Sequence, residues 1–210
     1  MRTRWSTGGR GLLAARVGVA IWVALCLLIG ALLLARHLLT LPTPAAGDPA
    51  LRRAIALQRR PEQRDRWIAL HVLYEDCGCS RRVLDHLRDG GRPTDVVERI
   101  VYITEHPDTA GATLAEFAAR GFELDVVSPE QLVARYDLEA APLLVVVDPH
   151  DQIRYLGGYT PRKQTAGIHD TGLIEATRLG LPLVPLPVFG CAVSRALRTT
   201  LDPLGIDTRK

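Results

Sequence analysis

Residues 17–35 carry nineteen consecutive side chains without a charge, and this run limits what the chain can fold into. At a rise of about 1.5 Å per residue, a helix of this length nearly crosses the hydrocarbon of a bilayer. We therefore predict a membrane anchor over residues 17–40. Four arginines precede the run, so the positive-inside rule predicts that residues 1–16 are cytoplasmic. The rest of the chain is then expected in the periplasm, held at a bacterial inner membrane.

A cleaved signal peptide is the alternative interpretation of the same run. The apolar core of such a peptide usually spans only about 7–15 residues and precedes a small-residue cleavage site. The Ala-Ala-Gly sequence at 45–47 resembles such a site, whereas Pro42 and Pro44 are typical of an extended spacer. The length of the run favours an anchor. Cys26 lies inside it and is expected to act as an inert, small apolar residue.

The positive charge of the chain is concentrated before residue 41. Residues 1–40 contain five arginines and no acidic residue, which leaves 21 basic and 23 acidic residues in the remainder. No nucleic-acid partner is expected, because phosphate binding needs a clustered basic surface. Apolar residues make up 47% of the chain, which argues against a mostly disordered protein and allows one ordinary globular domain.

The remaining chain divides into a linker and a domain. Residues 41–60 are predicted to be a tether with a short amphipathic helix, and residues 61–210 a domain with a C-terminal extension. Strands are predicted at 67–74, 99–104, 122–127, 143–148 and 153–159, and helices at 80–88, 108–121, 129–136 and 170–179. Three strand–helix pairs followed by a hairpin predict an α/β fold of three layers, with a mixed sheet between helices.

Three of the four cysteines, Cys77, Cys79 and Cys191, lie in the part predicted to be exported. An odd number points to a thiol that changes partners, bridges to another chain or binds a metal. The Cys-Gly-Cys-Ser motif at 77–80 follows the first predicted strand and begins a helix. Backbone N–H groups and the helix dipole stabilise a thiolate there, so we expect a lowered pKa at Cys77.

With these elements in place, residues 67–159 resemble the thioredoxin-like superfamily. The resemblance rests on a strand, a cysteine motif at a helix start, a strand, a helix, and Ala141-Pro142 directly before a hairpin. The Cys-x-Cys-Ser motif and a Tyr-x-Gly-Gly-Tyr segment at 155–159 make it similar to membrane-anchored bacterial TlpA- or RedB-like thioredoxins. The resemblance implies a cis peptide bond before Pro142, which faces the substrate. It also implies thiol–disulfide exchange with protein thiols or disulfides, without a cofactor.

The motif departs from the Cys-x-x-Cys pattern of that family. Ser80 stands where the second cysteine is usual, and Cys79 is an additional thiol. Three mechanisms remain open: a cycling Cys77–Cys79 disulfide, which we favour, a monothiol Cys77, or resolution by Cys191. Cys191 begins a second Cys-x-x-Ser-Arg pattern, so both patterns are predicted to begin helices. Its alternative role is simply to pack under the last helix.

Copper binding or delivery by Cys77 and Cys79, with or without Cys191, is the second functional hypothesis. Soft thiolates and imidazole suit copper. However, His71 falls in a predicted buried strand and is more simply a core histidine, and His86 lies about two helical turns from Cys79. A third hypothesis, peroxide reduction by Cys77, lacks a visible threonine-rich pocket.

Overall fold

The computed structural model describes residues 8–38, 40–45, 48–163 and 167–202. It divides into two compact units, Met1–Leu39 and Thr40–Lys210. The described residues of the first unit form helix α1 (Gly8–Leu38), and its segment Leu13–Leu32 is long and apolar enough to cross a membrane. A signal sequence meets the same criteria, so this helix agrees with both interpretations of the apolar run.

The second unit alternates helices and strands along the chain. Its elements are α2 (Pro49–Leu57), a 3-10 turn (Pro61–Gln63), β1 (Trp67–Tyr74), α3 (Gly78–Asp89), β2 (Val96–Ile103), α4 (Pro107–Ala119), β3 (Glu123–Val127), α5 (Pro129–Tyr136), β4 (Ala140–Ala141), β5 (Leu143–Val147), β6 (Ile153–Gly157), α6 (Asp170–Arg178), β7 (Cys191–Ala192) and α7 (Arg195–Leu201). The predicted strand at 67–74 and the predicted helix at 129–136 coincide with β1 and α5. The longer elements are thus confirmed, and their ends shift by three residues or fewer.

Five strands form one mixed sheet in the order β3-β2-β1-β5-β6. Strands β1, β2 and β3 are parallel, while β5 runs antiparallel to both β1 and β6. The central strand β1 pairs Ile68 with Val147 and Val72 with Leu143 of β5. This order, with the cysteine motif directly after β1 and a cis-proline before β5, is a thioredoxin-like fold, as the sequence predicts.

Strands β1 and β5 are buried on both faces of the sheet, which explains why β5 is apolar throughout and β1 is apolar except for His71. Alternate residues of β1 enter two separate cores, with Leu70 and Val72 on one face and Ala69 and Leu73 on the other. Helices α2 and α5 cover the first face. Helices α3, α4 and α6 cover the second, so the fold has the predicted three layers.

Helix α2 is part of the globular unit, whereas the sequence predicts a tether and a short helix for residues 41–60. Leu51 and Ile55 of α2 are fully buried in the core beneath α5. The Asp48 side chain caps the helix by accepting hydrogen bonds from the backbone of its first turn. The apolar side of α2 therefore packs on the sheet layer and makes residues 48–57 structural.

The proline-rich stretch before Cys191 runs along the end of the sheet. The backbone N–H of Gly158 donates to the Leu186 carbonyl at 2.8 Å, and that of Leu41 donates to the Val188 carbonyl at 2.9 Å. The stretch held by these contacts passes the end of β6 and continues into β7, which pairs antiparallel with β4. The stretch thus delivers Cys191 to the loop that contains Pro142.

Candidate functional site: a cluster of thiols beside a cis-proline

Cys77 occupies the N-cap position of α3, just beyond the end of β1. Its backbone is extended, and its carbonyl accepts the first helical hydrogen bond from Arg81 N at 3.0 Å. Ser80 is fully buried, and its hydroxyl accepts a hydrogen bond from Tyr74 N at 3.0 Å. This bond ties the first turn of α3 to the end of β1. The serine at the usual second cysteine position therefore has a structural role.

The Cys77 thiol faces the peptide that precedes Pro142. Its Sγ lies 3.7 Å from the Ala141 carbonyl oxygen, to which it donates a weak hydrogen bond. The Ala141–Pro142 peptide bond is cis, in agreement with the geometry that the resemblance implies. The fold therefore brings the cysteine motif and the proline loop together, although 64 residues separate Cys77 from Ala141.

Cys79 is the thiol of the motif that has exposed surface. It lines a cavity of about 260 Å³ together with Arg82, Pro142 and Phe189. Arg82 Nη2 lies 3.8 Å from the Cys79 Sγ and donates to it. Cys77, in contrast, has no exposed surface. A molecule that enters this cavity meets Cys79 while Cys77 stays covered.

Cys191 does not begin a helix, so the corresponding prediction is wrong. It lies in the strand β7, and the next helix starts only after Ser194, whose hydroxyl accepts a hydrogen bond from Leu197 N at 3.0 Å. The reason is long-range pairing, because β7 bonds to β4 and Val193 N donates to the Glu139 carbonyl at 2.6 Å. This pairing keeps the backbone extended until Ser194 provides the cap.

The three cysteines outside α1 meet at Cys77. The Cys77 thiol interacts with the thiols of both Cys191 and Cys79. Cys79 and Cys191 are half-buried and pack against the same core that contains Cys77. The structure thus places Cys77 beside both of the partners that the sequence leaves open.

The pKa of Cys77 is raised above its ordinary value, contrary to the expectation of a stabilised thiolate. Its interaction with the Cys191 side chain is the main cause, Cys79 acts in the opposite direction, and burial adds to the increase. The pKa of Cys79 is strongly raised, first by Cys77 and then by burial, although Arg82 opposes both. Both thiols therefore stay protonated to a higher pH than an ordinary cysteine.

The histidines considered for copper lie in other hydrogen-bonded pairs. His71 is fully buried, with Nδ1 3.1 Å from the Tyr159 hydroxyl and Nε2 3.4 Å from a Glu98 carboxylate oxygen, as predicted for a core histidine. His86 Nε2 lies 2.8 Å from an Asp170 carboxylate oxygen. Within residues 8–38, 40–45, 48–163 and 167–202, no three His, Cys, Asp or Glu side chains are placed to hold a metal ion. Binding of copper by the two cysteines Cys77 and Cys79 stays a prediction.

Several residues that hold Cys191 in place carry no local sequence signal. The Ser194 hydroxyl donates to a Glu139 carboxylate oxygen at 2.7 Å. Arg198 donates to the Ala192 carbonyl at 3.2 Å and to the Tyr74 hydroxyl at 2.8 Å. The repeated Cys-x-x-Ser-Arg pattern draws attention to Cys191, but the pairing between β4 and β7 joins segments that are far apart in the chain.

No protein-family model and no curated protein matches this chain. Solved structures similar to it include an uncharacterised conserved protein from Geobacillus kaustophilus, with 16% identity, coverage of 62% of this chain and 77% of that chain, and a TM-score of 0.43. A hypothetical protein from Sinorhizobium meliloti 1021 has 14% identity, coverage of 63% and 81%, and a TM-score of 0.44. StoA from Bacillus subtilis has 12% identity, coverage of 54% and 83%, and a TM-score of 0.36. The fold assignment rests on the strand order and the proline loop.

Proposed function

We propose that this protein is a membrane-tethered thiol–disulfide oxidoreductase that acts on the cysteines of other proteins. The observation that carries the proposal is the position of Cys77 at the start of α3, against the cis Ala141–Pro142 peptide and beside two further thiols. The similarity of its motifs to TlpA- or RedB-like thioredoxins supports the same assignment. No cofactor is needed for this chemistry.

The proposed reaction begins when the deprotonated Cys77 sulfur attacks a substrate disulfide. A bond forms between Cys77 and one substrate sulfur, the substrate S–S bond breaks, and the second substrate sulfur leaves as a thiolate that takes up a proton. A second protein thiol then attacks the Cys77 sulfur and releases the first substrate sulfur. In total, two electrons and two protons pass from two protein thiols to the substrate. Cys79 is the second thiol favoured by the sequence.

The proposed substrate is an extended peptide that lies along the backbone of β4. Proline lacks an N–H group, so Pro142 ends β4, and the Ala140–Ala141 backbone is a short edge that β7 fills in the described arrangement. A peptide paired with this edge has its cysteine beside Cys77. Because Cys77 has no exposed surface in the described arrangement, this reaction requires that the thiol be uncovered.

The proposed location is the periplasmic side of a bacterial inner membrane. Helix α1 contains an apolar segment of spanning length, and four arginines precede residue 17. A membrane-impermeant maleimide added to intact cells is expected to label Cys79. Labelling that occurs only after the inner membrane is disrupted would contradict this orientation.

The activity is tested by reduction of a disulfide-containing protein such as insulin, with the full-length protein in detergent and a dithiol as electron source. We expect Cys77→Ser to lose the activity by several orders of magnitude, because it removes the attacking sulfur. Cys26→Ser is the matched control, since Cys26 lies in α1 and takes no part in the reaction. Equal activity in Cys77→Ser and the wild type would overturn the proposed function.

A further inference from the structure

The edge of β4 that we assign to a substrate is occupied by the protein's own C-terminal part. Ala140 pairs with Ala192, and Ala141 pairs with Cys191, in antiparallel orientation. Cys191 therefore lies opposite the residue whose carbonyl contacts the Cys77 thiol. We refer to residues 190–193 as the internal strand. A cysteine on a strand paired with this edge is the arrangement proposed above for a substrate.

The fit of the internal strand depends on a glycine. A Cβ atom on Gly190 would lie 1.9 Å from the Ala141 carbonyl oxygen and 2.5 Å from Pro142 Cδ. Both distances are far below van der Waals contact, so residue 190 must lack a side chain for the strand to approach the cis peptide this closely. The internal strand is thus shaped for the proline loop.

The internal strand is held by a short pairing with β4, by a few hydrogen bonds and by one buried side chain, Val193, in the core that contains Cys77. Beyond its two residue pairs with β4, Val193 N and Ser194 N donate to the Glu139 carbonyl, and Arg198 binds the Ala192 carbonyl. The two residues of β7 are half-buried, whereas every residue of β5 is buried. Short, partly exposed pairings have low local stability and open more readily than central strands. Displacement of this strand would uncover Cys77 without unfolding the five-stranded sheet.

We propose that the internal strand is a substrate mimic that closes the site, and that Cys191 forms a reversible disulfide with Cys77. The proposal rests on the proposed function, which identifies the edge of β4 as the place where substrate binds. It changes the role of Cys191 from a packing residue to the resolving thiol. Cys79, which opens onto the cavity, is then an additional thiol outside the cycling pair.

The redox step balances with a protein disulfide as the oxidant. The internal strand leaves, Cys77 attacks the substrate disulfide, and one substrate sulfur departs with a proton. The strand then returns, and the Cys191 sulfur attacks Cys77, which breaks the bond to the substrate and forms the Cys77–Cys191 bond. The two protein thiols lose two electrons and two protons, and the substrate gains both as two thiols. At the end of the reaction the protein carries the Cys77–Cys191 disulfide, and the internal strand again covers the site.

The first test maps the disulfide formed in the full-length wild-type protein in detergent. Oxidised glutathione serves as the oxidant, acid stops the exchange, iodoacetamide blocks remaining thiols, and mass spectrometry identifies the linked peptides. We expect a Cys77–Cys191 linkage with Cys79 alkylated. A Cys77–Cys79 linkage with Cys191 alkylated overturns the inference. This test needs no variant, so it holds even if a substitution prevents folding.

The second test measures whether the internal strand covers Cys77. In the reduced protein, Gly190→Ala should speed labelling of Cys77 by N-ethylmaleimide at least about tenfold, because labelling of a buried thiol follows local opening. Gly91→Ala is the matched control, since a Cβ atom there meets nothing within 4 Å and the labelling rate should not change. A wild-type labelling rate in a folded Gly190→Ala protein overturns the inference.

Insulin reduction by the same proteins separates this inference from the proposed function. If the Cys77–Cys191 linkage forms and Gly190→Ala exposes Cys77, but no variant reduces insulin, the internal strand is supported and the function is overturned. If insulin is reduced and the disulfide formed is Cys77–Cys79, the proposed function is supported. The inference that Cys191 on the internal strand is the resolving thiol is then overturned.

Discussion

Residues 77–81 and 191–195 share the pattern Cys-x-x-Ser-Arg and meet at one site, yet their backbones differ. The first segment enters α3 directly after Cys77, and its serine is buried against the end of β1. The second stays extended through β7, and its serine caps the following helix. The difference comes from the surroundings, because β4 offers a strand edge to Cys191 alone. The same local pattern thus occurs at both cysteines, and long-range strand pairing determines the backbone conformation at each.

The largest expected effect distinguishes the two possible resolving thiols. Cys191→Ser should trap a mixed disulfide between Cys77 and a protein substrate, because the thiol that releases the substrate is absent. Non-reducing gel electrophoresis detects this adduct. Cys79→Ser is the matched control and should release the substrate as the wild type does. If the mixed disulfide accumulates in Cys79→Ser and not in Cys191→Ser, Cys79 is the resolving thiol and the inference about Cys191 is contradicted.

The second prediction concerns pH. Because the pKa values of Cys77 and Cys79 are raised, thiolate is a minor form at neutral pH and its fraction grows as pH increases. Alkylation of Cys79 by iodoacetamide should therefore accelerate about tenfold for each pH unit between pH 7 and 9. A rate that is already constant at pH 7 would contradict the raised pKa of Cys79.

The third prediction concerns Ser80, the serine of the helical segment. Ser80→Ala should lower the free energy of unfolding by about 1–3 kcal/mol, because it leaves the Tyr74 N–H buried without its acceptor. Chemical denaturation of the full-length protein in detergent measures this change. Unchanged stability would show that the end of β1 does not need the hydroxyl.

The smallest effect is expected at Ser194, the serine of the strand segment. Ser194 is buried, and Ser194→Ala removes the cap of α7 and the bond to Glu139; loss of such a cap costs about 1 kcal/mol. The lost stabilisation should mainly make local opening of β7 easier. The rate of Cys77 labelling should therefore rise, while the denaturation midpoint stays close to that of the wild type. A lower midpoint with unchanged labelling would place this serine in the global fold.

The sequence predicts those elements whose signals are local. A short run rich in apolar and aromatic residues predicts β1, and α5 is predicted by Ser128 at its N-cap, followed by a proline and a carboxylate in the first turn. The meeting of Cys77 with Pro142 follows from the resemblance to the thioredoxin-like superfamily. These features require no knowledge of distant pairing.

The remaining features depend on contacts between distant segments. Strand β7 has only two residues and exists because β4 pairs with it, so no periodic pattern indicates it. The raised pKa of Cys77 has the same origin, since its main cause is the side chain of the distant Cys191. The packing of α2 on the core likewise depends on α5, which lies far along the chain.

Equilibrium redox titration of the single cysteine variants tests the central claim most directly, namely that Cys77 is the shared partner of the other two thiols. The wild type and Cys79→Ser should each retain a two-electron thiol–disulfide couple within the chain. Cys77→Ser should lose that couple. A couple that persists in Cys77→Ser with the wild-type potential would contradict the account.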